Sequence, residues 1–184
     1  MKQEETERFL IEELFSKTQE KGIVKNLKIK DVQKLTGDAS TRRYYRVFAA
    51  NEKNEHSFVV CLDAPFDQQV KDHPFLSMQN FLHDYNINVP QVLDHHLTKG
   101  YILQEDLGNT TLLHKVSEIT DFEEEFEIYS NVLNELMKFH NIKGQLEELP
   151  KLKFDFNKFM DEVRFTMTYF TLIFNKSVTD SWKK

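Results

Sequence analysis

The sequence predicts an α+β protein in which five β-strands come before a set of helices. Runs rich in β-branched and aromatic residues, bounded by turn residues, indicate strands at 26–35, 42–50, 56–64, 91–97 and 101–106. After Gly108, apolar residues recur every three or four positions, which is typical of helices. Strands followed by helices favour an α+β fold or two subdomains. The sequence "QEDLG" marks the boundary, so we expect one part at 1–107 and a second at 108–184.

The chain opens with an amphipathic helix, which the pattern predicts at 4–20. The apolar side of this helix is formed by Phe9, Leu10, Leu14 and Phe15. Glutamates occupy the other side, and Gly22 ends the helix. The first strand follows.

The stretch "TGDASTRRYYRV" at 36–47 joins the first strand to the second. It places small residues before three arginines and two tyrosines. Within it, Tyr45 and Val47 are expected to lie in the core. A polar loop at 51–55 then predicts a hairpin between the second and third strands. Cys61 lies in the apolar third strand and is expected to be an inert core residue.

A helix and a second hairpin come next. Apolar residues at helical spacing predict a helix at about 74–85. The segment 88–108 is predicted as a hairpin whose turn contains Lys99 and Gly100. His95 and His96 are adjacent in a strand and point to opposite faces, so no metal site is expected there.

Two long helices are predicted in the second part of the chain. The first has the residues Phe122, Phe126, Tyr129, Leu133, Leu136 and His140 at 4-3-4-3-4 spacing. The second, after a loop at 141–153, has the stripe Phe156, Phe159, Met160, Val163, Met167, Phe170 and Phe174. Phe165, Tyr169 and Ile173 lie off that stripe, and a helix that is apolar on much of its circumference is normally buried on more than one side. The last helix is therefore expected to meet a missing lobe or a partner.

The ends of these helices carry polar candidates. Thr110 is a candidate cap for the helix after Gly108. The acidic run at 121–127 and Asp155 both open helices, where carboxylates suit the helix dipole. His140 lies on an apolar stripe and is expected to be a satisfied core residue rather than a base.

Composition limits the class of protein. Of 184 residues, 40% are apolar and 29% are charged, which is ordinary for a globular protein. The net charge of −6 argues against a general nucleic-acid binder. A single cysteine excludes an intramolecular disulfide, and no apolar run reaches the roughly 18–20 residues that span a bilayer. We expect a cytoplasmic protein with no nucleic-acid or membrane partner.

Four motifs occur in order along the first part: "GDAS-x-RRY-x-RV" at 37–47, "LDAP" at 62–65, "VP" at 89–90 and "QEDLG" at 104–108. Together they resemble the small lobe of the protein-kinase-like fold in the aminoglycoside phosphotransferase family. The closer resemblance is to the anomeric N-acetylmuramate/N-acetylglucosamine kinases, and it covers about 8–108. It implies a five-stranded antiparallel sheet plus a helix, followed by the first helices of an α-helical lobe.

The resemblance implies an ATP site formed by the turn and the hinge. The turn residues concerned are Gly37, Asp38, Ala39, Ser40 and Thr41. Their backbone N–H groups would form an anion-binding concavity over the phosphates, and Arg42 and Arg43 would add charge-assisted contacts. At the hinge, backbone groups of Glu105 and Leu107 would bind the adenine. The residues leave open a plain hairpin turn with solvated arginines, and a simple loop that ends at Gly108.

The third strand departs from the pattern of protein kinases. It contains no lysine, and the region 67–85 contains no glutamate with which such a lysine would pair. The anomeric sugar kinases resemble this chain in placing an apolar residue there. Arg42, Arg43 and Arg46 are then the cations available to the phosphates.

The catalytic loop is the second departure. None of the seven histidines begins an H-x-D motif, and Asp155 in "FDFN" is not expected to bind magnesium. We therefore assign no catalytic and no metal-binding residue. We expect the catalytic part of the large lobe to be absent from this chain.

The resemblance predicts the N-terminal portion of a kinase that uses ATP and Mg²⁺. Its substrate would be an amino sugar, phosphorylated at the anomeric hydroxyl in cell-wall sugar recycling. The alternative is a non-catalytic nucleotide-binding or protein-interaction module that lacks the catalytic loop.

Overall fold

The computed structural model describes residues 2–36, 41–142 and 155–174. The chain forms two compact units, Met1–Glu148 and Leu149–Lys184. The first unit holds the sheet and four α-helices of the described residues, and the second holds one helix.

A five-stranded antiparallel sheet is the centre of the first unit. Its strands are β1 Lys28–Lys34, β2 Arg43–Ala50, β3 Glu55–Leu62, β4 Val92–His96 and β5 Tyr101–Glu105. Their order across the sheet is β1-β2-β3-β5-β4. The prediction of an α+β fold with five antiparallel strands is confirmed.

The helices of the first unit are α1 Lys2–Glu20, α2 Pro74–Asp84, α3 Leu112–Ser117 and α4 Phe122–His140. The second unit contains α5 Phe156–Phe174. The helix expected after Gly108 is the short α3, and its bounds were not predicted, because six residues are too few to establish a helical period.

Side-chain caps fix the starts of three helices. The Thr111 hydroxyl accepts a hydrogen bond from the His114 N–H at 3.2 Å, so Thr111 caps α3 and the expectation for Thr110 was wrong by one residue. Asp121 caps α4 through the Glu124 N–H at 3.0 Å. The Asp155 carboxylate accepts from the Lys158 N–H at 3.0 Å, as expected for the start of α5.

One face of the sheet packs against α1. The helix contributes Ile11, Leu14 and Phe15 to this core, and Val47, Val60 and Leu103 of the sheet are fully buried within it, at 0% exposure. Tyr45 and Val47 lie in the core, as predicted. Each large aliphatic side chain buried in this way contributes about 1.5–3 kcal/mol to folding.

The opposite face packs against α2. Adjacent residues of a strand alternate between faces, so Cys61 and Ile102 point away from the α1 core and meet Leu76 of α2. Leu97 completes this cluster. Cys61 is buried as predicted, and burial raises the pKa of its thiol.

The apolar stripe of α4 is exposed. Its apolar members, Phe122, Phe126, Tyr129, Leu133 and Leu136, are all exposed, as are the neighbouring Val132, Met137 and Phe139. His140 is also exposed, so the expectation that it lies in a core was wrong. Polar contacts connect α4 to the rest of its unit: the Lys138 ammonium donates to the Asn86 carbonyl at 3.2 Å, and Asn88 donates to the Glu135 carboxylate at 3.2 Å.

Candidate functional site

The predicted ATP-binding residues fall into two groups. Gly37, Asp38, Ala39 and Ser40 lie outside the described residues, so their role stays a prediction. Thr41 and Arg42 precede β2, Arg43 begins it, Glu105 ends β5, and Leu107 follows that strand.

Arg42 forms an ion pair with the carboxylate of the "LDAP" motif. Its Nε lies 2.7 Å from Asp63 Oδ2, and its guanidinium lies 5.7 Å from the centre of the Phe75 ring. The other carboxylate oxygen of Asp63 accepts from the Ala64 N–H at 2.8 Å. These contacts tie the end of the turn to the end of β3 and to α2.

The electrostatics of this pair favour the charged form of Asp63. Burial alone would raise the pKa of Asp63, but the hydrogen bond from Arg42, the Ala64 N–H and the charge of Arg42 together hold it below its usual range. Arg42 therefore brings a positive charge to the turn, and Asp63 balances it.

Arg43 takes a partner on the other face of the sheet. Its Nε lies 2.7 Å from Glu7 Oε1 of α1, and it donates to the Thr41 carbonyl at 3.2 Å. Tyr45 donates its hydroxyl proton to the second carboxylate oxygen of Glu7. Successive residues of an extended chain point in opposite directions, so Arg42 and Arg43 do not converge on one point.

The pKa of Glu7 reflects this network. Burial would raise it, but the hydrogen bonds from Tyr45 and Gln3 and the charge of Arg43 hold the pKa below its usual range. Burial and the hydrogen bond to Glu7 raise the pKa of Tyr45.

Arg46 contacts the hinge, which follows β5. Its Nε lies 2.7 Å from Asp106 Oδ2, and its Nη2 donates to Asp106 Oδ1 at 2.9 Å and to the Gly108 carbonyl at 3.0 Å. Its Nη1 donates to the Asn109 side-chain oxygen. Arg46 and Asp106 are both almost fully buried, with side chains 10% and 4% exposed.

The Asp106 carboxylate is also held by groups other than Arg46. Its Oδ1 accepts from the Gly108 N–H at 3.0 Å, and Ser57 of β3 donates a further hydrogen bond. Burial would raise the pKa of Asp106, but these two hydrogen bonds and the bond and charge of Arg46 hold it below its usual range.

The two predicted hinge residues differ in their surroundings. The Glu105 N–H donates to the Gln91 carbonyl at 2.9 Å, and the Glu105 carboxylate accepts from the Gln91 N–H at 3.1 Å, so this residue is tied to the start of β4. Leu107 is 67% exposed.

Sequence reasoning missed two buried polar side chains near these pairs. Gln104 is 8% exposed, and its Oε1 has no hydrogen-bond partner among the described residues. His73 is 4% exposed, and burial lowers its pKa, assisted by the nearby charge of Arg42 and opposed by that of Asp63. Gln104 belongs to the "QEDLG" motif and His73 to no motif, but nothing in the sequence shows that either side chain is buried, which only the folded arrangement reveals.

Among the residues that the structure describes, no group of three or more His, Cys, Asp or Glu side chains is arranged to hold a metal ion. Asp63 and Asp106 are each paired with an arginine, Asp63 with Arg42 and Asp106 with Arg46. Within the same described ranges, no helix has the length and apolar character needed to cross a membrane.

Comparison with known proteins gives three significant matches that share one name. The chain is similar to N-acetylmuramate/N-acetylglucosamine kinases. It is 41% identical over 83 residues to the protein of Neisseria meningitidis serogroup B, which is 45% of this chain and 23% of that protein. It is 31% identical over 107 residues to the protein of Pseudomonas putida, which is 58% of this chain and 29% of that protein.

The third match is the protein of Pseudomonas aeruginosa, 36% identical over 78 residues, or 42% of this chain and 21% of that protein. The chain therefore spans less than a third of the length of the curated relatives that it matches. No protein-family model matches the chain, and no solved structure matches it significantly. Membership of the aminoglycoside phosphotransferase family stays a prediction.

Proposed function

We propose that the chain contributes the nucleotide-binding lobe of an ATP-dependent kinase that phosphorylates N-acetylmuramate or N-acetylglucosamine at the anomeric hydroxyl. The observation that carries the proposal is the similarity to three proteins with that kinase name, at 31–41% identity. The sheet supports it, because β3 alone separates β2 from β5, and Arg46 of β2 contacts Asp106 in the hinge that follows β5. The proposed setting is cell-wall sugar recycling in the cytoplasm.

In this proposal, ATP binds between the turn and the hinge. The turn 37–41 offers backbone N–H groups to the phosphates, and Arg42 and Arg43 supply positive charge at its end. The hinge offers backbone groups of Glu105 and Leu107 to the adenine. An oriented nucleotide is the contribution of this lobe, since phosphoryl transfer depends mainly on positioning and electrostatic stabilisation.

The described residues do not fit a magnesium site of their own. Asp63 and Asp106 are held by Arg42 and Arg46, and no third acidic ligand lies beside either of them in the described ranges. The sequence contains no H-x-D motif, so we expect the group that receives the proton from the sugar hydroxyl to lie outside this chain.

The first test of the proposal is a calorimetric titration of the chain with ATP, GTP and adenosine, together with an assay for sugar phosphate. We expect binding of ATP and adenosine and no phosphoryl transfer by the chain alone. Failure to bind either adenine ligand contradicts a nucleotide-binding lobe. Formation of a sugar phosphate, in a preparation free of other kinases, contradicts the assignment of catalysis to residues outside the chain.

A second candidate is a non-catalytic nucleotide-binding or protein-interaction module. The exposed apolar stripe of α4 and the lack of H-x-D favour it. The coding sequence after Lys184 separates the two candidates. An in-frame continuation that contains H-x-D-x-x-x-x-N supports the kinase and excludes the module.

A further inference from the structure

We infer that Arg46 is a positioning residue for the hinge: it holds the segment 106–109 in the conformation that receives the adenine, and it is not a ligand of the phosphates. This inference rests on the proposed function. It assigns a role to the one arginine of the "RRYYRV" stretch whose partners all lie in the hinge.

The position of Arg46 follows from strand register. Arg46 of β2 pairs with Val59 of β3, and Val59 pairs with Gln104 of β5, so the three residues form one row across the sheet. Arg46 and Gln104 are both buried. The guanidinium lies at the end of β5, where the chain leaves the sheet to form the hinge.

The polar contacts of the Arg46 guanidinium are with residues of the hinge. Its three nitrogens make four polar contacts, two with Asp106, one with the Gly108 carbonyl and one with the Asn109 side chain. A guanidinium has five N–H groups in a fixed planar arrangement. Three of those of Arg46 donate hydrogen bonds to the hinge, and the buried Nε lies 2.7 Å from the Asp106 carboxylate as an ion pair. Few donors remain for a phosphate, whereas the conformation of the hinge is fixed at three residues, Asp106, Gly108 and Asn109.

The segment 106–109 depends on this contact because it belongs to neither β5 nor α3. Gly108 has a φ of +83°, a conformation that L-residues rarely adopt, and its N–H donates to Asp106. The Asp106 side chain is 4% exposed, so removal of Arg46 leaves a buried carboxylate without its counter-charge. The least costly relaxation is movement of the segment toward water.

Loss of order at the hinge and loss of a phosphate ligand change the affinities for ATP and adenosine in different ways. Both ligands carry the adenine, and only ATP carries phosphates. Disorder at the hinge therefore weakens both ligands by the same factor, whereas loss of a phosphate ligand weakens ATP alone.

The test uses the Arg46→Lys variant, which keeps the charge and loses the planar fork, and Asp106→Asn, which removes the charge of the partner. Arg8→Lys is the matched control, because Arg8 forms an exposed ion pair with Glu12 at 3.0 Å on α1. The readouts are the dissociation constants of ATP and adenosine, and hydrogen–deuterium exchange of peptides covering 105–109.

We expect Arg46→Lys and Asp106→Asn to weaken ATP and adenosine equally, by about tenfold, with faster exchange confined to 105–109. We expect Arg8→Lys to change neither readout. A larger loss for ATP than for adenosine overturns the inference and makes Arg46 a phosphate ligand. Unchanged binding and exchange overturn it as well.

Two further outcomes keep the inference separate from the proposed function. If the wild-type chain binds neither ligand, the proposed function fails, and the exchange rates of the variants still show whether Arg46 holds the segment. If a variant unfolds, exchange rises along the whole chain, and this overturns a role confined to the hinge.

Discussion

Three arginines of one short stretch form ion pairs with three carboxylates from different parts of the chain. The alternation of strand residues separates Arg42 from Arg43, and each takes a partner on its own face of the sheet. The ion pairs of Arg42 and Arg43 at the turn are partly exposed, whereas the ion pair of Arg46 at the hinge is buried. The same residue type therefore serves different purposes within five positions, and substitution of each arginine has a distinct expected result.

Replacement of Arg42 and Arg43 by alanine should weaken ATP more than adenosine. If these arginines attract the phosphates, only ATP loses an interaction, and a charge-assisted hydrogen bond contributes roughly 1.5–3 kcal/mol, or about tenfold or more in affinity. Calorimetric titration of the double variant with both ligands measures the difference.

Lys34→Ala is the control for this experiment, because Lys34 forms an exposed ion pair with Glu4 at 3.2 Å on β1. Circular dichroism should show the same helix and sheet content in all variants. Equal losses for ATP and adenosine would show that Arg42 and Arg43 only hold the strand, and the turn would be an ordinary hairpin.

The burial of His73 predicts that the stability of the chain depends on pH. Burial lowers its pKa in the folded chain below the value of 6.5 for an exposed histidine, so the unfolded chain binds the proton more readily. The contribution of neutral His73 to the free energy of unfolding is therefore fully present above about pH 6.5. It is lost as the pH falls from about 6.5 toward the pKa of His73 in the folded chain. Urea unfolding at pH 8 and pH 5.5 measures the loss.

The variant His73→Gln should lose less stability than the wild type between those two pH values, because glutamine does not titrate. His83→Gln, on the exposed side of α2, is the control and should behave as the wild type does. An identical pH dependence in His73→Gln and wild type would contradict a buried neutral His73.

The partners of the arginines could not be predicted from the sequence. Asp63 lies 21 residues after Arg42, and Asp106 lies 60 residues after Arg46. Asp63 lies in the "LDAP" motif and Asp106 in the "QEDLG" motif, but neither motif shows which arginine its aspartate pairs with. Pairing depends on which strands are neighbours and in which register, and a single sequence does not specify either.

Helices and strands were largely predictable because each leaves a local pattern in the sequence. The α4 spacing predicts the helix that the structure places at Phe122–His140. Runs rich in β-branched and aromatic residues, bounded by turn residues, predict all five strands to within a few positions. The failures are local: α3 is shorter than two helical turns, and its cap is Thr111. Burial of α4 was not predictable, since periodicity shows which face is apolar and not what covers it.

The turn between β4 and β5 contains Gly100, whose replacement by alanine is predicted to destabilise the hairpin. Gly100 has a φ of +65°, and a Cβ added there would lie 2.0 Å from the Asp63 carbonyl oxygen. The Asp63 N–H also donates to the Gly100 carbonyl at 2.8 Å, so the backbones are fixed against each other. Gly100→Ala should therefore lower the free energy of unfolding by several kcal/mol, roughly 1–2 kcal/mol of which comes from φ alone.

Gly22→Ala is the matched control. Gly22 has a φ of +75°, but its added Cβ would meet only the flexible end of Lys25, at 3.3 Å. Chemical denaturation should show a clearly smaller loss for Gly22→Ala than for Gly100→Ala. Equal losses would show that the Asp63 backbone moves aside at little cost and does not fix the turn.

At the scale of the whole chain, the main feature is uncovered apolar surface on both long helices of the second half. In α4, Phe126 and Leu133 are 62% and 57% exposed, and in α5, Phe159 and Phe165 are 50% and 59% exposed. Monomers rarely expose contiguous apolar patches larger than a few hundred Å². Each unit therefore presents a surface that a folded protein normally covers.

The chain should self-associate when it is expressed alone. Removal of these apolar side chains from water contributes roughly 25 cal/mol per Å². Within the first unit, the described residues leave the α4 stripe exposed. Sedimentation velocity across a range of concentrations should show species larger than the monomer. The double variant Phe126→Lys, Leu133→Lys should reduce association, while the control Asn131→Lys, Asn134→Lys adds the same charge outside the apolar stripe and should not. A monomer at all concentrations in the wild type, or equal effects of the two double variants, would show that the exposed stripe does not drive association.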